Sequence, residues 1–142
     1  MKVKDIMTTN VKTVSEKSTL GEVATKMKSL NVGSIPVCDD YQSLLGIVTD
    51  RDIVVKGMTQ GSQSQSSVRD VMTRNPVTVT PDTDVNQATT LMSQHQIRRL
   101  PVVEGNKLVG IVAIGDIAVR DNFVEEAGDA LSNISEPSRP TM

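Results

Sequence analysis

Thr49 and Asp52 stand three residues apart in G-I-V-T-D-R-D, where the apolar run Leu44–Thr49 gives way to a helical pattern. A hydroxyl and a carboxylate at that spacing have two uses. One is a capping box, in which the Thr49 hydroxyl accepts a first-turn amide and Asp52 favours the positive end of the helix. The other is a ligand: a helix start with a hydroxyl beside it suits a phosphate, and a carboxylate accepts from both ribose hydroxyls. Spacing alone leaves both open. Further along, G-I-V-A-I-G-D repeats the pattern with Ala113 in place of the threonine, while Asp116 stays. Losing the cap hydroxyl but keeping the carboxylate leans toward a ligand role for the aspartate.

Other reactive side chains are scarce. His95 is the only histidine and falls at a helix end, where a surface or capping role suits it. Cys38 follows a buried strand with no histidine near it in sequence, so a structural thiol is expected. Neither makes a nucleophile–base pair or a metal-ligand spacing. Asp39 and Asp40 read as turn residues. These residues supply no acid–base or nucleophilic constellation, so a non-enzymatic role with no cofactor and no metal is expected.

The elements that position these residues are written twice. Val3–Asp39 aligns with Val68–Glu104, from V-K-D-I-M-T against V-R-D-V-M-T to I-P-V against L-P-V, and after one deletion Leu44 onward aligns with Leu108 onward. A unit this short is too small for most independent cores, so the copies are expected to pack on each other, with related clefts between them. In copy one a helical turn, Val3–Met7, precedes a strand-like Val11–Val14. Thr19 with Glu22 starts a helix whose apolar face is Leu20, Val23, Ala24, Met27 and Leu30. Gly33 is expected to break it before the strands Ser34–Val37 and Leu44–Thr49 and a second helix, Asp50–Lys56. In copy two the counterparts are a strand at Val77–Val79, a helix from Asp84 with Gln87 as its capping partner, strands Arg99–Val103 and Lys107–Ala113, and a helix from Gly115. The predicted organisation is 1–57 repeat one, 58–67 a flexible polar linker, 68–121 repeat two, and 122–142 a C-terminal helix with a loose tail. The fold class is α/β (α+β): two tandem β-α-β-β-α repeats related by a pseudo-twofold axis, with small sheets face to face.

The order of elements, the I-P-V and L-P-V strands and above all G-I-V-T-D-R-D resemble the cystathionine-β-synthase domain, or CBS domain. Two in tandem resemble a Bateman module, and the chain is similar to small stand-alone bacterial CBS-pair proteins, including the hypoxic-response type. The resemblance spans residues 3–121 and implies binding of an adenosine-type nucleotide between the repeats: AMP, ADP or ATP, with NAD and S-adenosylmethionine in the same class. It further implies that each cleft joins the T/S-x-x-D of one repeat to the first strand and pre-proline segment of the other. Cleft one then joins Thr49 and Asp52 to Pro76, Val77 and Ile97, Arg98, Arg99 and Pro101. Cleft two, the weaker, joins Asp116 to Val11, Lys12, Val32, Gly33, Ser34 and Pro36. Guanidinium forks at Arg98 and Arg99 suit phosphate oxygens, and Gly33 and Ser34 replace both in copy one. An adenine ring would lie between aliphatic side chains such as Val77, Ile97 and Ile47.

Composition narrows the partners. The 142 residues carry a formal net charge of −2 and include one tyrosine, one phenylalanine and no tryptophan. There is no clustered basic surface to neutralise phosphates and no aromatic platform for bases, so nucleic acid is not expected as a partner. No apolar run reaches the ~20 residues of a membrane span, and Met1 leads into K-V-K-D without a signal-like segment. With one cysteine, this makes a cytoplasmic setting away from the membrane the expectation. The leading reading is a ligand-sensing module that passes its state to a regulated protein by population shift. The alternative is a ligand-independent homodimeric scaffold with vestigial clefts. Beyond copy two, Phe123, Ala127, Leu131 and Ile134 form an apolar stripe expected to be buried on a second subunit, making a homodimer.

Overall fold

The computed structural model describes residues 1–120 and 123–137, and its chain divides into two units that trade their opening segments. The first unit is Lys12–Pro76 with Gly105–Leu108. The second is Met1–Val11, Val77–Glu104 and Val109 onward. The turn opening each repeat, Val3–Asp5 or Val68–Asp70, is therefore counted in the other repeat's unit. Among the described residues no helix is long and apolar enough to cross a membrane.

In the first unit, strands β1 (Val14–Ser15), β2 (Ser34–Cys38), β3 (Leu44–Thr49) and β4 (Thr73–Arg74) form one sheet in that order. β1 runs parallel to β2, and the other neighbours are antiparallel. Val11–Thr13, expected in the first strand, lies outside it. Helix α1 (Leu20–Leu30) covers the sheet with Leu20, Val23 and Met27 buried. Thr19 Oγ1 accepts the Glu22 amide at 3.2 Å, as the sequence predicts. The helix stops earlier than expected: Asn31 takes the left-handed conformation (φ 55°) and its amide closes onto the last turn. A short polar side chain tolerates that region, so Gly33 is not the breaker. The core is completed by Val68, Val71 and Met72, from the start of repeat two.

The expected helix after β3 begins as an α-helical turn, α2 (Asp50–Asp52), and continues as π-helix over Ile53–Gly57. The segment 58–67 is not free. Its carbonyls receive the opening amides of α1, Leu20 N to Ser66 O at 2.9 Å and Gly21 N to Ser64 O at 2.8 Å. Arg69 and Glu16 pair at 2.7 Å beside it. Helix-start amides need acceptors, and the polar linker provides them.

The second unit repeats this plan with shorter pairing. β5 (Arg99–Glu104) pairs with β6 (Lys107–Ala113), and the places of β1 and β4 are taken by single bridges, Val79 to Val102 and Thr8 to Ile111. The strand expected at Val77–Val79 thus reduces to one residue. Helix α3 (Val85–His95) buries Val85, Ala88, Thr89 and Met92. Its Asp84 cap accepts from Asn86 N at 2.8 Å, in place of the expected box with Gln87. After α4 (Ile114–Ala118) comes α5 (Val124–Ser135), which packs back on α3 and α4. Ala127 and Ala130 are buried, Phe123 and Ile134 join the same core, and Leu131 is exposed. Asn133 ties the helices together, donating to Ser93 Oγ at 2.8 Å. Of the stripe expected to await a second subunit, Phe123, Ala127 and Ile134 are therefore spent within their own unit, and Leu131 stays exposed. Asp121, Asn122 and residues 138–142 of the expected tail lie outside the described residues.

Candidate functional site

Each unit brings a T-x-x-D position beside the pre-proline segment of its own repeat. In the first unit Ser34 pairs with Thr49 across β2 and β3, and the Asp50 amide donates to Gly33 O at 2.9 Å. Gly33 and Ser34 therefore lie alongside Asp50 and Thr49, the exposed Val32 precedes them, and the buried Pro36 pairs with Ile47. In the second unit the Ile114 amide donates to Arg98 O at 2.8 Å, which sets Arg98 beside Ile114, between Ala113 and Asp116 in sequence. Both arginines are exposed, while Pro101 is buried and receives the Val79 amide at 3.1 Å. Val77 and Ile97 pack on the edge of this unit's core. Lys12 and Pro76 belong to the first unit, Val11 and Val77 to the second. The pairings expected across repeats, Thr49 and Asp52 with Arg98 and Arg99, and Asp116 with Gly33 and Ser34, join residues of different units.

The capping box at Thr49 is complete. Thr49 Oγ1 accepts the Asp52 amide at 3.0 Å, and Asp52 Oδ2 accepts the Thr49 amide at 3.0 Å. The other Asp52 oxygen lies 3.4 Å from Lys56 Nζ, which also donates to Val71 O at 3.3 Å. In copy two half of the box survives: Asp116 Oδ2 accepts the Ala113 amide at 2.9 Å. Keeping Asp116 after losing the threonine therefore has a structural reason, and the copy comparison does not by itself favour a ligand. Among the described residues Asp116 makes no ion pair, although Arg120 occupies the position matching Lys56.

Two residues at these ends carry charge that the motif did not announce. Lys56 is one, and its i,i+4 spacing from Asp52 is the signal that reveals it. Asp50 is the other. Its carboxylate reaches over Gly33, with Oδ2 3.1 Å from where a Cβ at that glycine would sit. The matching residues in copy two are Ile114 and Arg98.

Cys38 is buried at the end of β2, and burial, aided by the Asp39 charge, pushes its thiol up to about 11. A protonated thiol is a poor nucleophile, consistent with a structural residue. Asp39 Oδ1 accepts the Tyr41 and Ser43 amides at 2.9 Å each, a side-chain-closed turn as expected. His95 is exposed in the last turn of α3. Among the described residues no three His, Cys, Asp or Glu side chains are grouped to hold a metal ion. Two open grooves of the first unit lie elsewhere: a polar one of about 540 Å³ between α1 and Ser64–Gln65, and an apolar one of about 250 Å³ along Leu20, Ala24, Ile53 and Met58.

Two β-α-β-β-α repeats with paired strand-to-helix motifs define a tandem-repeat α/β architecture. Residues 3–57 and 68–121 each match the CBS domain, and the chain belongs to that family. It is 50% identical over 133 residues to the CBS domain-containing protein YhcV of Bacillus subtilis, covering 94% of each chain. It is 36% identical over 116 residues to Hypoxic response protein 1 of Mycobacterium tuberculosis, covering 81% of each. Among solved structures it resembles CBSX2 in complex with AMP (29% identity, TM-score 0.74, covering 81% of this chain and 91% of that one). It also resembles the CBS domain pair of protein MJ0100 in complex with 5′-methylthioadenosine and S-adenosyl-L-methionine (31% identity, TM-score 0.73, 83% and 93%).

Proposed function

We propose that this chain is a ligand-sensing regulatory module that binds an adenosine-type nucleotide, the ligand class the family resemblance implies. The observation carrying this reading is the repeat-two end, where the exposed Arg98 and Arg99 lie on the strand end joined through Arg98 O to Ile114, two residues before Asp116, whose second carboxylate oxygen has no ion-pair partner among the described residues. Guanidinium groups take phosphate, the carboxylate takes ribose hydroxyls, and Val77 and Ile97 offer an aliphatic wall for the base. Thr49 and Asp52 provide the corresponding end of repeat one. The AMP complex of CBSX2 and the adenosine-thioether and sulfonium complexes of MJ0100 support the ligand class. Ligand would act by stabilising one arrangement of repeats or subunits through its differential affinity, in a homodimer that a regulated protein reads.

A second reading has its own observation. Asp52 accepts the Thr49 amide and pairs with Lys56, so its charge is balanced without any ligand, as a ligand-independent scaffold requires. A thermal-shift panel of AMP, ADP, ATP, NAD and S-adenosylmethionine separates the two. A concentration-dependent rise in Tm with one of them supports sensing, and no rise with any supports the scaffold.

A further inference from the structure

The two strand-to-helix ends are built alike but charged differently. At repeat two, Arg98 faces Ile114, whose amide its own carbonyl accepts. At repeat one, the same two positions hold Gly33 and Asp50, and the exposed Asp50 carboxylate covers the glycine. An exposed arginine joined by its backbone to an isoleucine in repeat two is replaced in repeat one by bare glycine backbone beneath an anion.

Two cations lie on the same helical segment as Asp50. Lys56 is held between Asp52 Oδ1 and Val71 O. Arg51 is exposed and makes no ion pair among the described residues. Neither bonds the Asp50 carboxylate, whose Oδ1 accepts only the Arg51 backbone amide at 2.8 Å. Asp50 therefore presents its charge where a phosphate oxygen would approach the Gly33 backbone. Like charges a few ångströms apart, partly screened by water, oppose binding by about tenfold.

We propose that Asp50 is a specificity-determining residue that excludes phosphate from the repeat-one end. That end takes an adenosine-type ligand without phosphate, a neutral nucleoside or a cationic sulfonium, while phosphate-bearing ligands go to Arg98 and Arg99. The inference rests on the nucleotide-sensing reading and adds that the two ends select ligands of different charge.

The full chain is titrated with adenosine and with AMP while the backbone amides of Gly33, Ser34, Arg98 and Arg99 are followed by NMR. In the wild type, adenosine shifts the Gly33 and Ser34 amides, and AMP at equal concentration shifts only those of Arg98 and Arg99. Asp50→Asn, which keeps the acceptor for the Arg51 amide, strengthens AMP binding at Gly33 and Ser34 about tenfold and leaves adenosine unchanged. Asp50→Glu behaves as wild type. AMP shifting Gly33 in the wild type, as it would if Arg51 held the phosphate, overturns the proposal, and so does an Asp50→Asn titration that superimposes on wild type. Adenosine and AMP both failing to shift either pair removes the sensing reading itself, an outcome distinct from a lost charge preference.

Discussion

Thr49 and Asp52 each accept the other's backbone amide at 3.0 Å, so the motif that resembles a ligand site is already a closed cap. The cap explains why a hydroxyl and a carboxylate recur at this spacing even without a ligand. It also makes the ligand-free stability of this end measurable. Thr49→Ala removes one of the two bonds and should cost about 1 kcal/mol in urea denaturation of the apo protein. Ala113→Thr, which restores the missing bond at repeat two, should return a similar amount. Unchanged midpoints in both variants would contradict the capping role.

The exchanged opening turns predict which fragments fold. Val68, Val71 and Met72 lie in the core of the first unit although they begin repeat two. Each buried side chain of this size contributes about 1.5–3 kcal/mol, against a typical domain stability of about 5–15 kcal/mol. A fragment of residues 1–66 should show no cooperative thermal transition, while 12–76 retains one. Cooperative melting of 1–66 would show that the repeat, rather than the unit, is the folding element.

Local signals made much of this legible. The Thr19 cap, the α1 face of Leu20, Val23 and Met27, the β6 limits and the Asp39 turn follow from spacing and capping chemistry within a few residues. The exchange of opening turns does not, because no local periodicity records which core Val71 enters. The π-helical stretch at Ile53–Gly57 keeps an apolar pattern that also suits an α-helix. The destination of α5 depended on Ala127 and Ala130, small residues whose value is close approach to a neighbouring helix. At the site, the motif residues could be read directly. Which pre-proline segment lies beside which T-x-x-D depends on strand register, and the Asp50 charge becomes meaningful only once it is seen over Gly33.

Close backbone approach makes Gly46 irreplaceable. An added Cβ would stand 2.5 Å from Thr73 O and 3.2 Å from Met72 Sδ, where β4 pairs with β3. Gly46→Ala should therefore cost about 1–3 kcal/mol through forced backbone movement. Gly115→Ala is the control: nothing lies within 4 Å of its Cβ position in helix α4, and a small gain is expected there. Equal midpoints for the two variants would count against the packing at Gly46.

The Cys38 thiol gives a pH signature. Its proton is held in the folded state up to about 11, against an ordinary 9.0. The folded form keeps the proton where the unfolded form has lost it, so this contribution is full below about pH 9 and disappears as pH rises toward 11. Cys38→Ala should flatten the alkaline loss of stability over that window. At pH 8 a thiol reagent should label the native protein slowly and the urea-unfolded protein fast. Rapid native labelling would place the thiol at the surface.

The central claim, that repeat two's end binds a phosphorylated adenosine ligand, is tested most directly by calorimetry of AMP and adenosine against wild type and the Arg98→Ala/Arg99→Ala variant. Removing charge-assisted bonds to phosphate should weaken AMP binding by about 1.5–3 kcal/mol and leave adenosine nearly unchanged. Equal losses for both ligands, or AMP binding that ignores the substitutions, would contradict the account.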